Sequence, residues 1–351
     1  MKLGLGLYKH MLNKEHYSFA KQCGCTHLVV HLVDYFNKGK LHGKDNQPIG
    51  DGSGWGITNN QDKLWSLVDL LSLKKEINSA GLELEAIENF DPANWYDILL
   101  DGPQKKKQIE NLKTIIRNVG KAGIPVFGYN FSLAGVSSRI TGPFARGEAI
   151  SVAMDGLDNR PIQNGMVWNM TYDTNAGKGY IPKITHEELW QRLTFFLQEL
   201  VPVAEEANVV LAAHPDDPPV PVLRETPRLV YQPEMYQRLL DIVPSKSNGL
   251  EFCLGSIAEM TEGDVYRATA QYADQIAYVH FRNVIGKAPH YKEVFVDEGD
   301  IDMFKILRIL KDKNFNGVLI PDHTPQISCD APWHAGMAYT LGYMKAILGM
   351  I

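Results

Sequence analysis

Eight short apolar segments constrain the fold of this 351-residue chain more than any other feature. Amphipathic segments separate most of them, as where Leu189, Leu193 and Phe196 recur at helical spacing. The apolar segments lack polar alternation, which indicates strands buried on both faces, as in a parallel sheet covered by helices. We predict an α/β fold, a (β/α)8 TIM barrel that forms a single domain over residues 1–351. The predicted strands comprise residues 3–8, 27–32, 82–87, 126–131, 209–213, 250–253, 276–281 and 317–320.

Two long insertions interrupt the regular alternation. One comprises residues 34–60, after the second predicted strand, and the other comprises residues 132–182, after the fourth. Both leave the carboxyl end of a strand, which is where the active site of a TIM barrel lies. We therefore expect both insertions to fold over the mouth of the site, as lids or as loops that set specificity.

Charge and composition limit the partners and the location of the chain. It has 35 basic and 41 acidic residues, and the formal net charge of −6 gives no reason to expect binding to nucleic acid or to an anionic membrane. No apolar run is long enough to span a membrane, and the first residues lack the apolar core of a signal peptide, which predicts a cytoplasmic protein. The four cysteines are too few for a disulfide framework. Among them, Cys23 and Cys25 form a CxC pair, which either binds a metal or, as we favour, ends a helix before the second strand.

Four potential metal ligands, His214, Cys253, His280 and Asp322, each stand at the carboxyl end of a predicted strand. Their separations of 39, 27 and 42 residues each fit one strand, one helix and two loops, so consecutive ligands come from consecutive βα units. Because these strand ends meet at one rim of a barrel, we expect the four side chains to lie close together. Two imidazoles, a thiolate and a carboxylate suit a divalent transition ion better than Mg²⁺ or Ca²⁺, which prefer oxygen ligands. The sequence therefore predicts a metal-dependent enzyme.

Polar residues beside these ligands are candidates for substrate binding and proton transfer. Asp216 follows His214 in a proline-rich loop, where its carboxylate can bind a sugar hydroxyl, act as an acid or base, or lie solvated in a turn. Arg282 can hold a substrate carboxylate in a bidentate manner or form a structural ion pair. His323, next to Asp322, offers an imidazole for proton transfer.

Several ordered strings between residues 64 and 322 match a known family in residue type and order. They include Ala86-Ile87-Glu88, Tyr129-Asn130-Phe131, Ala145-Arg146-Gly147, Val201-Pro202-Val203-Ala204, His214 to Pro219, Cys253 with Gly255-Ser256, and Pro321-Asp322-His323. On these strings the chain resembles the mannonate dehydratase family, metal-dependent lyases that convert D-mannonate to 2-keto-3-deoxy-D-gluconate and water. The resemblance implies a xylose-isomerase-like barrel, a small sugar acid as substrate and a place in hexuronate catabolism. It also implies a divalent metal as cofactor. Mn²⁺ is the ion that we favour, and Fe²⁺ or another divalent ion is the alternative.

The resemblance also implies roles for individual residues. The four ligand candidates look equivalent to the metal ligands of the family, and His323 looks equivalent to a residue that transfers protons. By the same comparison Asn130, Arg139 and Arg282 bind the substrate. For the second acid or base we expect a tyrosine and name Tyr339, with the direction of each proton transfer unassigned.

Departures from the family pattern lie near the predicted substrate site and keep two alternatives open. Ser137 and Ser138 stand where the family has tryptophan and threonine, Val296 where it has histidine, Thr324 where it has glycine, and Met337 where it has an aromatic residue. One alternative is a metal-dependent sugar isomerase or epimerase on the same barrel, which releases no water. The other is a non-catalytic barrel that binds a sugar. Barrels of this size often form homo-oligomers, but the sequence does not indicate which residues would form an interface.

Overall fold

A computed structural model describes residues 1–36, 48, 54–58 and 63–351 of the chain. Eight parallel strands close into a barrel, in which each strand pairs with its neighbours in sequence and the last pairs with the first. This is the predicted (β/α)8 TIM barrel, and every predicted strand agrees with an observed one to within two residues at either end. The strands are β1 (Lys2–Leu7), β2 (His27–Val30), β3 (Glu83–Glu88), β4 (Val126–Tyr129), β5 (Val210–Ala213), β6 (Asn248–Cys253), β7 (Ile276–His280) and β8 (Val318–Ile320).

Helices cover the outside of the barrel, and the sequence determines where they begin and end. Thr185 caps the start of the helix after the second insertion: its side chain accepts from the Glu188 backbone while the Glu188 carboxylate accepts from the Thr185 backbone. Asn208 caps the other end of this helix in the left-handed conformation that asparagine tolerates. None of the helices in the described part of the chain is both long and apolar enough to cross a bilayer. The helices are α1 (Lys14–Gln22), α2 (Leu67–Ser79), α3 (Tyr96–Leu100), α4 (Lys105–Lys121), α5 (His186–Ala207), α6 (Met235–Ile242), α7 (Leu254–Glu259), α8 (Val265–Tyr272), α9 (Met303–Asp312) and α10 (Pro332–Leu348).

The interior of the barrel holds polar side chains below its carboxyl rim. Side chains alternate along a strand, so Glu251 and Cys253 of β6 lie on the same face. Gly128 of β4 makes room for Glu251 and for Tyr278 of β7, because a Cβ there would lie 2.3 Å from both Glu251 Oε2 and Tyr278 Oη. The glycine thus allows a fully buried carboxylate to lie inside the barrel.

Insertions after β4 and β7 build a four-stranded antiparallel sheet outside the barrel. Strands Ile140–Ala145 and Ala149–Asp155 pair with each other, and the hairpin formed by Asn283–Lys287 and His290–Val294 joins them through its second strand. The hairpin after β7 was not among the predicted strands. Its two strands are short and partly polar, and they extend a sheet that begins far earlier in the chain.

The two predicted insertions meet over the barrel mouth. The Trp55 backbone nitrogen donates to the Asn169 carbonyl at 2.7 Å, and Ile57 forms a β-bridge with Thr171. The rings of Trp55 and Trp168 pack edge to face with centroids 5.6 Å apart. Within the first predicted insertion, residues 37–47, 49–53 and 59–60 lie outside the described residues. The described parts of both insertions therefore cover the site as predicted.

The CxC pair is a helix end. Cys23 is the C-terminal cap of α1, and Cys25 is buried immediately before β2. Among the described residues, neither cysteine belongs to a group of side chains placed to share a metal ion. The interpretation that we favoured from the sequence is therefore the one that the structure supports.

Candidate active site

The four predicted metal ligands converge at the carboxyl ends of β5 to β8. His214, Cys253 and His280 each offer a ligand atom, and these atoms all lie within 4.8 Å of one another. The Asp322 carboxylate joins them, with Oδ2 4.0 Å from Cys253 Sγ and Oδ1 3.6 Å from His280 Nδ1. A cluster of two imidazoles, a thiol and a carboxylate has the mixed donor set that transition ions prefer.

The ring nitrogens in this cluster are in a state that fits a divalent cation. His214 Nδ1 lies 2.6 Å from the Pro215 carbonyl oxygen, so Nδ1 carries a hydrogen and Nε2 is the nitrogen left to bind a cation. Both ring nitrogens of His280 are buried and meet no partner with hydrogen-bonding geometry among the described residues. Buried polar atoms without a hydrogen bond are rare in native structures, and a bound ion is one way to satisfy them.

The surroundings of Cys253 favour its thiolate. Burial raises the pKa of the thiol, but Arg282, His214 and His280 outweigh burial and hold that pKa well below its ordinary value. The sulfur also accepts hydrogen bonds from the Ser256 backbone nitrogen at 3.4 Å and from the Ser256 hydroxyl at 3.2 Å. A thiolate is the form of cysteine that binds metals, so the site is prepared for a cation.

Arg282 lies behind the ligands rather than in the cavity. Its guanidinium is fully buried, 3.1 Å from Asp217, 3.3 Å from Glu259 and 3.3 Å from Asp322, and it also pairs with Glu293. It does not line the cavity at the site. The expected contact between Arg282 and the substrate is therefore corrected: carboxylates surround the guanidinium, and the structural ion pair is the alternative that holds.

A second group of buried carboxylates faces the other nitrogen of His280. Nε2 of this imidazole lies 3.4 Å from Glu88 Oε2 and 3.2 Å from Glu251 Oε1, and Tyr278 donates a hydrogen bond to Glu88. Burial raises the pKa of Glu251 well above its ordinary value. Burial acts in the same direction on Glu88, but His31 and His280 outweigh it and lower the pKa of Glu88 to about 2. A carboxylate on the far nitrogen commonly orients a metal-binding histidine.

A cavity of about 570 Å³, open solvent at its mouth included, lies against this cluster. The ends of β1 to β3 contribute polar and aromatic groups to its wall, and both predicted insertions contribute residues above it. Its lining comprises Tyr8, His31, Tyr35, Pro48, Trp55, Glu88, Asn89, Asn130, Val136, Arg139, Trp168, His214, Asp217, Glu251, His280, Asp322 and His323.

Three further predicted site residues line the cavity. Asn130 donates a hydrogen bond of 3.0 Å to the Pro215 carbonyl oxygen, which fixes its amide. Arg139, which comes from the second insertion, pairs with Asp217 and Glu293 and contributes the one guanidinium among the lining residues that the structure describes. His323 has Nδ1 3.3 Å from Glu293 and Nε2 3.1 Å from Asp322.

Asp216 does not face the cavity, which corrects its predicted role in substrate binding. Its Oδ2 accepts hydrogen bonds from the backbone nitrogens of Leu229 and Val230 at 2.7 and 2.8 Å, and Arg228 Nε lies 2.8 Å from Oδ1. These contacts occupy the carboxylate and tie its loop to the next one. The neighbouring Asp217 lines the cavity instead.

Tyr339 is also not part of the cavity wall. It lies on α10 with 39% of its surface exposed, its hydroxyl is 3.4 Å from Arg146 Nη2, and its ring packs against Phe295. A proton carrier must reach the substrate, so this position corrects the expectation for Tyr339.

Several polar residues of the site were not predicted from the sequence. Glu251 lies two positions before Cys253 in an otherwise apolar strand, and that spacing alone indicates a carboxylate on the ligand face. Glu293 comes from the unpredicted hairpin after β7. His31 and Tyr35 follow β2, and no sequence pattern there marked them as site residues.

Comparisons with known proteins agree with this geometry. The family model for D-mannonate dehydratase (UxuA) matches residues 47–167 and 174–350. Mannonate dehydratases from Streptococcus pneumoniae (strain 70585) and Streptococcus suis (strain 05ZYH33) are 35% and 36% identical over alignments of 281 residues, and these alignments cover 75% of this chain and 75% of each relative. The crystal structure of mannonate dehydratase from Streptococcus suis serotype 2 superposes with a TM-score of 0.76 at 28% identity, covering 99% of this chain and 93% of that one. A xylose isomerase domain protein from Planctomyces limnophilus, at 12% identity and a TM-score of 0.59, shares the fold.

Proposed function

Because this chain belongs to the D-mannonate dehydratase family, we propose that it removes water from D-mannonate and yields 2-keto-3-deoxy-D-gluconate. The chain is a hydro-lyase that acts on a sugar acid. The observation that most supports this reaction at this cavity is the convergence of four ligand candidates beside His323 and Arg139.

In this proposal a divalent cation is held by His214, Cys253, His280 and Asp322. Mn²⁺ is the ion that we favour, and Fe²⁺ or another divalent ion is the alternative. When bound, such a cation supplies positive charge that stabilises the negative charge developing on the substrate as the C2 proton leaves. The depressed pKa of Cys253 means that less free energy is spent on deprotonation when a cation binds than for an ordinary thiol.

The second insertion and β4 supply the groups that hold the sugar acid. Arg139 provides a guanidinium at the cavity wall, and an arginine suits a carboxylate because two parallel hydrogen bonds fix its orientation. Asn130 carries a fixed amide that can hydrogen-bond a sugar hydroxyl. Trp55 and Trp168 close the cavity from above and limit the access of water.

His323 exchanges one of the two protons that the elimination requires. It lies in the cavity wall, and Glu293 is within 3.3 Å of its Nδ1, where a carboxylate restrains the orientation of the ring. Arg282 and Arg139 in turn hold Glu293, so the histidine is positioned by a buried network of charges.

Direct turnover tests the proposal. Full-length protein loaded with Mn²⁺ is incubated with D-mannonate, and mass spectrometry with a chemical assay for 2-keto-3-deoxy acids follows the product. We expect loss of one water from the substrate, and no turnover by a Cys253→Ala variant. A product of unchanged mass would instead indicate an isomerase or epimerase, and binding without conversion would indicate a non-catalytic sugar-binding barrel. Either result would reject the dehydratase assignment.

Further parts of the proposal concern the setting of the enzyme. Residues 1–351 act as one domain in the cytoplasm, within hexuronate catabolism, and the protein needs no nucleic acid or membrane partner. The formal net charge of −6 supports the absence of a nucleic-acid partner. A homo-oligomer is compatible with the proposal, and light scattering of the purified protein measures the assembly state.

A further inference from the structure

Loss of water from a sugar acid requires two proton transfers. A base takes the C2 proton, and an acid protonates the oxygen that leaves C3. The proposed function, on which this inference rests, gives one transfer to His323. Because Tyr339 lies outside the cavity, the other transfer needs a different residue.

Tyr35, His31 and Glu88 form a chain of contacts along the wall of the same cavity. The Tyr35 hydroxyl oxygen lies 3.2 Å from His31 Nδ1, and His31 Nε2 lies 3.7 Å from Glu88 Oε2. Asn89 donates a hydrogen bond of 3.1 Å to the same hydroxyl oxygen. With the His31 hydrogen on Nε2, towards Glu88, Nδ1 accepts the hydroxyl hydrogen of Tyr35. Burial lowers the pKa of His31, although Glu88 acts in the opposite direction, so this imidazole is neutral before the reaction and its Nδ1 carries a lone pair.

Aromatic rings hold this chain in place and shield it from bulk water. The ring of Tyr8 stacks on His31 with centroids 4.8 Å apart. Trp55 and Trp168, one from each insertion, pack against Tyr35 at 5.5 and 5.8 Å. Only 2% of Tyr35 is exposed, yet the residue lines the cavity where a substrate would lie.

We propose that Tyr35 takes the C2 proton of the sugar acid while it passes its own hydroxyl proton to His31. The C2–H bond breaks as an O–H bond to Tyr35 forms, and the electron pair makes the C2–C3 double bond as the C3–O bond breaks. His323 gives a proton to the departing oxygen, which leaves as water, and the enol rearranges to the 2-keto acid. Glu88 stabilises the positive charge on His31. Solvent then removes that proton and restores the one lost by His323, so no oxidant or reductant is needed.

Two substrates separate the base from the acid. D-Mannonate needs both groups, whereas an analogue with fluorine in place of the C3 hydroxyl needs only the base, because fluoride leaves without being protonated. We expect Tyr35→Phe to lower kcat for D-mannonate about 10²–10⁴-fold with little change in KM. The same variant should also lose fluoride release from the analogue. His323→Asn should lose water elimination but keep most of the fluoride release.

Tyr236→Phe is the matched control, because it removes a buried hydroxyl that is outside the cavity wall. Its kcat should stay within two-fold of wild type, and the metal content of all variants should be equal. A Tyr35→Phe enzyme with near wild-type kcat would overturn the inference. Fluoride release by Tyr35→Phe without water release would also overturn it, since the base would then be intact. If the wild-type enzyme itself fails to dehydrate D-mannonate, the proposed function fails, which is a distinguishable result.

Discussion

The Nη2 atom of Arg282 lies 3.5 Å from the Sγ atom of Cys253, and both side chains are buried. The start of α7 allows this approach, because a Cβ at Gly255 would lie 2.5 Å from Arg282 Nε. The guanidinium therefore acts on the thiol at short range in a region with little water, where charges interact strongly. Arg282 prepares the metal-binding form of Cys253 without being a ligand itself.

Replacement of Arg282 by glutamine should raise the pKa of Cys253, since it removes the positive charge that lowers this pKa most. The variant should also lose about 3–5 kcal/mol of unfolding free energy, because it leaves buried carboxylates unpaired. The ultraviolet absorbance of the thiolate in metal-free protein, read as the difference from Cys253→Ser, measures the titration. Arg282→Lys retains the charge and serves as the control. An unchanged titration in Arg282→Gln would show that the guanidinium does not govern the thiol.

Stability should depend on pH through the same thiol. Its folded pKa lies well below the ordinary value of 9.0, and this depression is a contribution to the free energy of unfolding. The contribution is complete above pH 9.0 and is lost as the pH falls through the folded-state pKa. Metal-free wild type should therefore lose this part of its stability as the pH falls, and Cys253→Ser should not. Urea unfolding of both proteins at several pH values measures the difference.

Glu88 and Glu251 should contribute unequally to metal affinity. His31 and His280 lower the pKa of Glu88 to about 2, whereas burial raises the pKa of Glu251 well above its ordinary value, so Glu88→Gln should remove more negative charge next to His280 than Glu251→Gln does. We expect Glu88→Gln to weaken Mn²⁺ binding about 10–100-fold. Glu251→Gln should cost clearly less. Competition with a fluorescent chelator measures both affinities, and equal losses in the two variants would contradict the assignment of charge.

A divalent cation should stabilise the fold through the four converging ligands. A ligand at 100 times its dissociation constant adds about 2.7 kcal/mol to the free energy of unfolding. Added Mn²⁺ should therefore raise the Tm of wild type, and chelation should reverse the shift. Differential scanning calorimetry of Cys253→Ala, which removes one ligand candidate, should show a much smaller rise. An equal rise in that variant would place the cation elsewhere.

Two glycine substitutions should have opposite effects on stability. Gly128→Ala would put a methyl group 2.3 Å from both Glu251 Oε2 and Tyr278 Oη, and such overpacking costs about 1–3 kcal/mol. At Gly342, within α10, an added Cβ meets nothing within 4 Å, and alanine there should gain about 0.5–1 kcal/mol. Chemical denaturation compares the two variants. A neutral Gly128→Ala would indicate that Glu251 and Tyr278 can move aside.

The architecture was predictable because each strand of a parallel barrel carries its own signal. A strand buried on both faces appears as a short apolar run, and all eight runs correspond to strands of the barrel. The hairpin formed by Asn283–Lys287 and His290–Val294 carries no such signal, since its strands are partly polar and pair outside the barrel. Glu293, which comes with that hairpin, was missed for the same reason.

What the sequence determined by itself is the barrel and the convergence of His214, Cys253, His280 and Asp322, because parallel strands bring their carboxyl ends to one rim whatever the loops do. Which neighbouring side chains face the cavity was decided only by the tertiary structure. Loops and rotamers carry no periodicity, so the turn after His214 buries Asp216 and exposes Asp217 to the cavity. Carboxylates from distant segments enclose Arg282 in the same way. The partners of a polar side chain depend on contacts between segments far apart in the chain. The local sequence pattern does not encode these contacts.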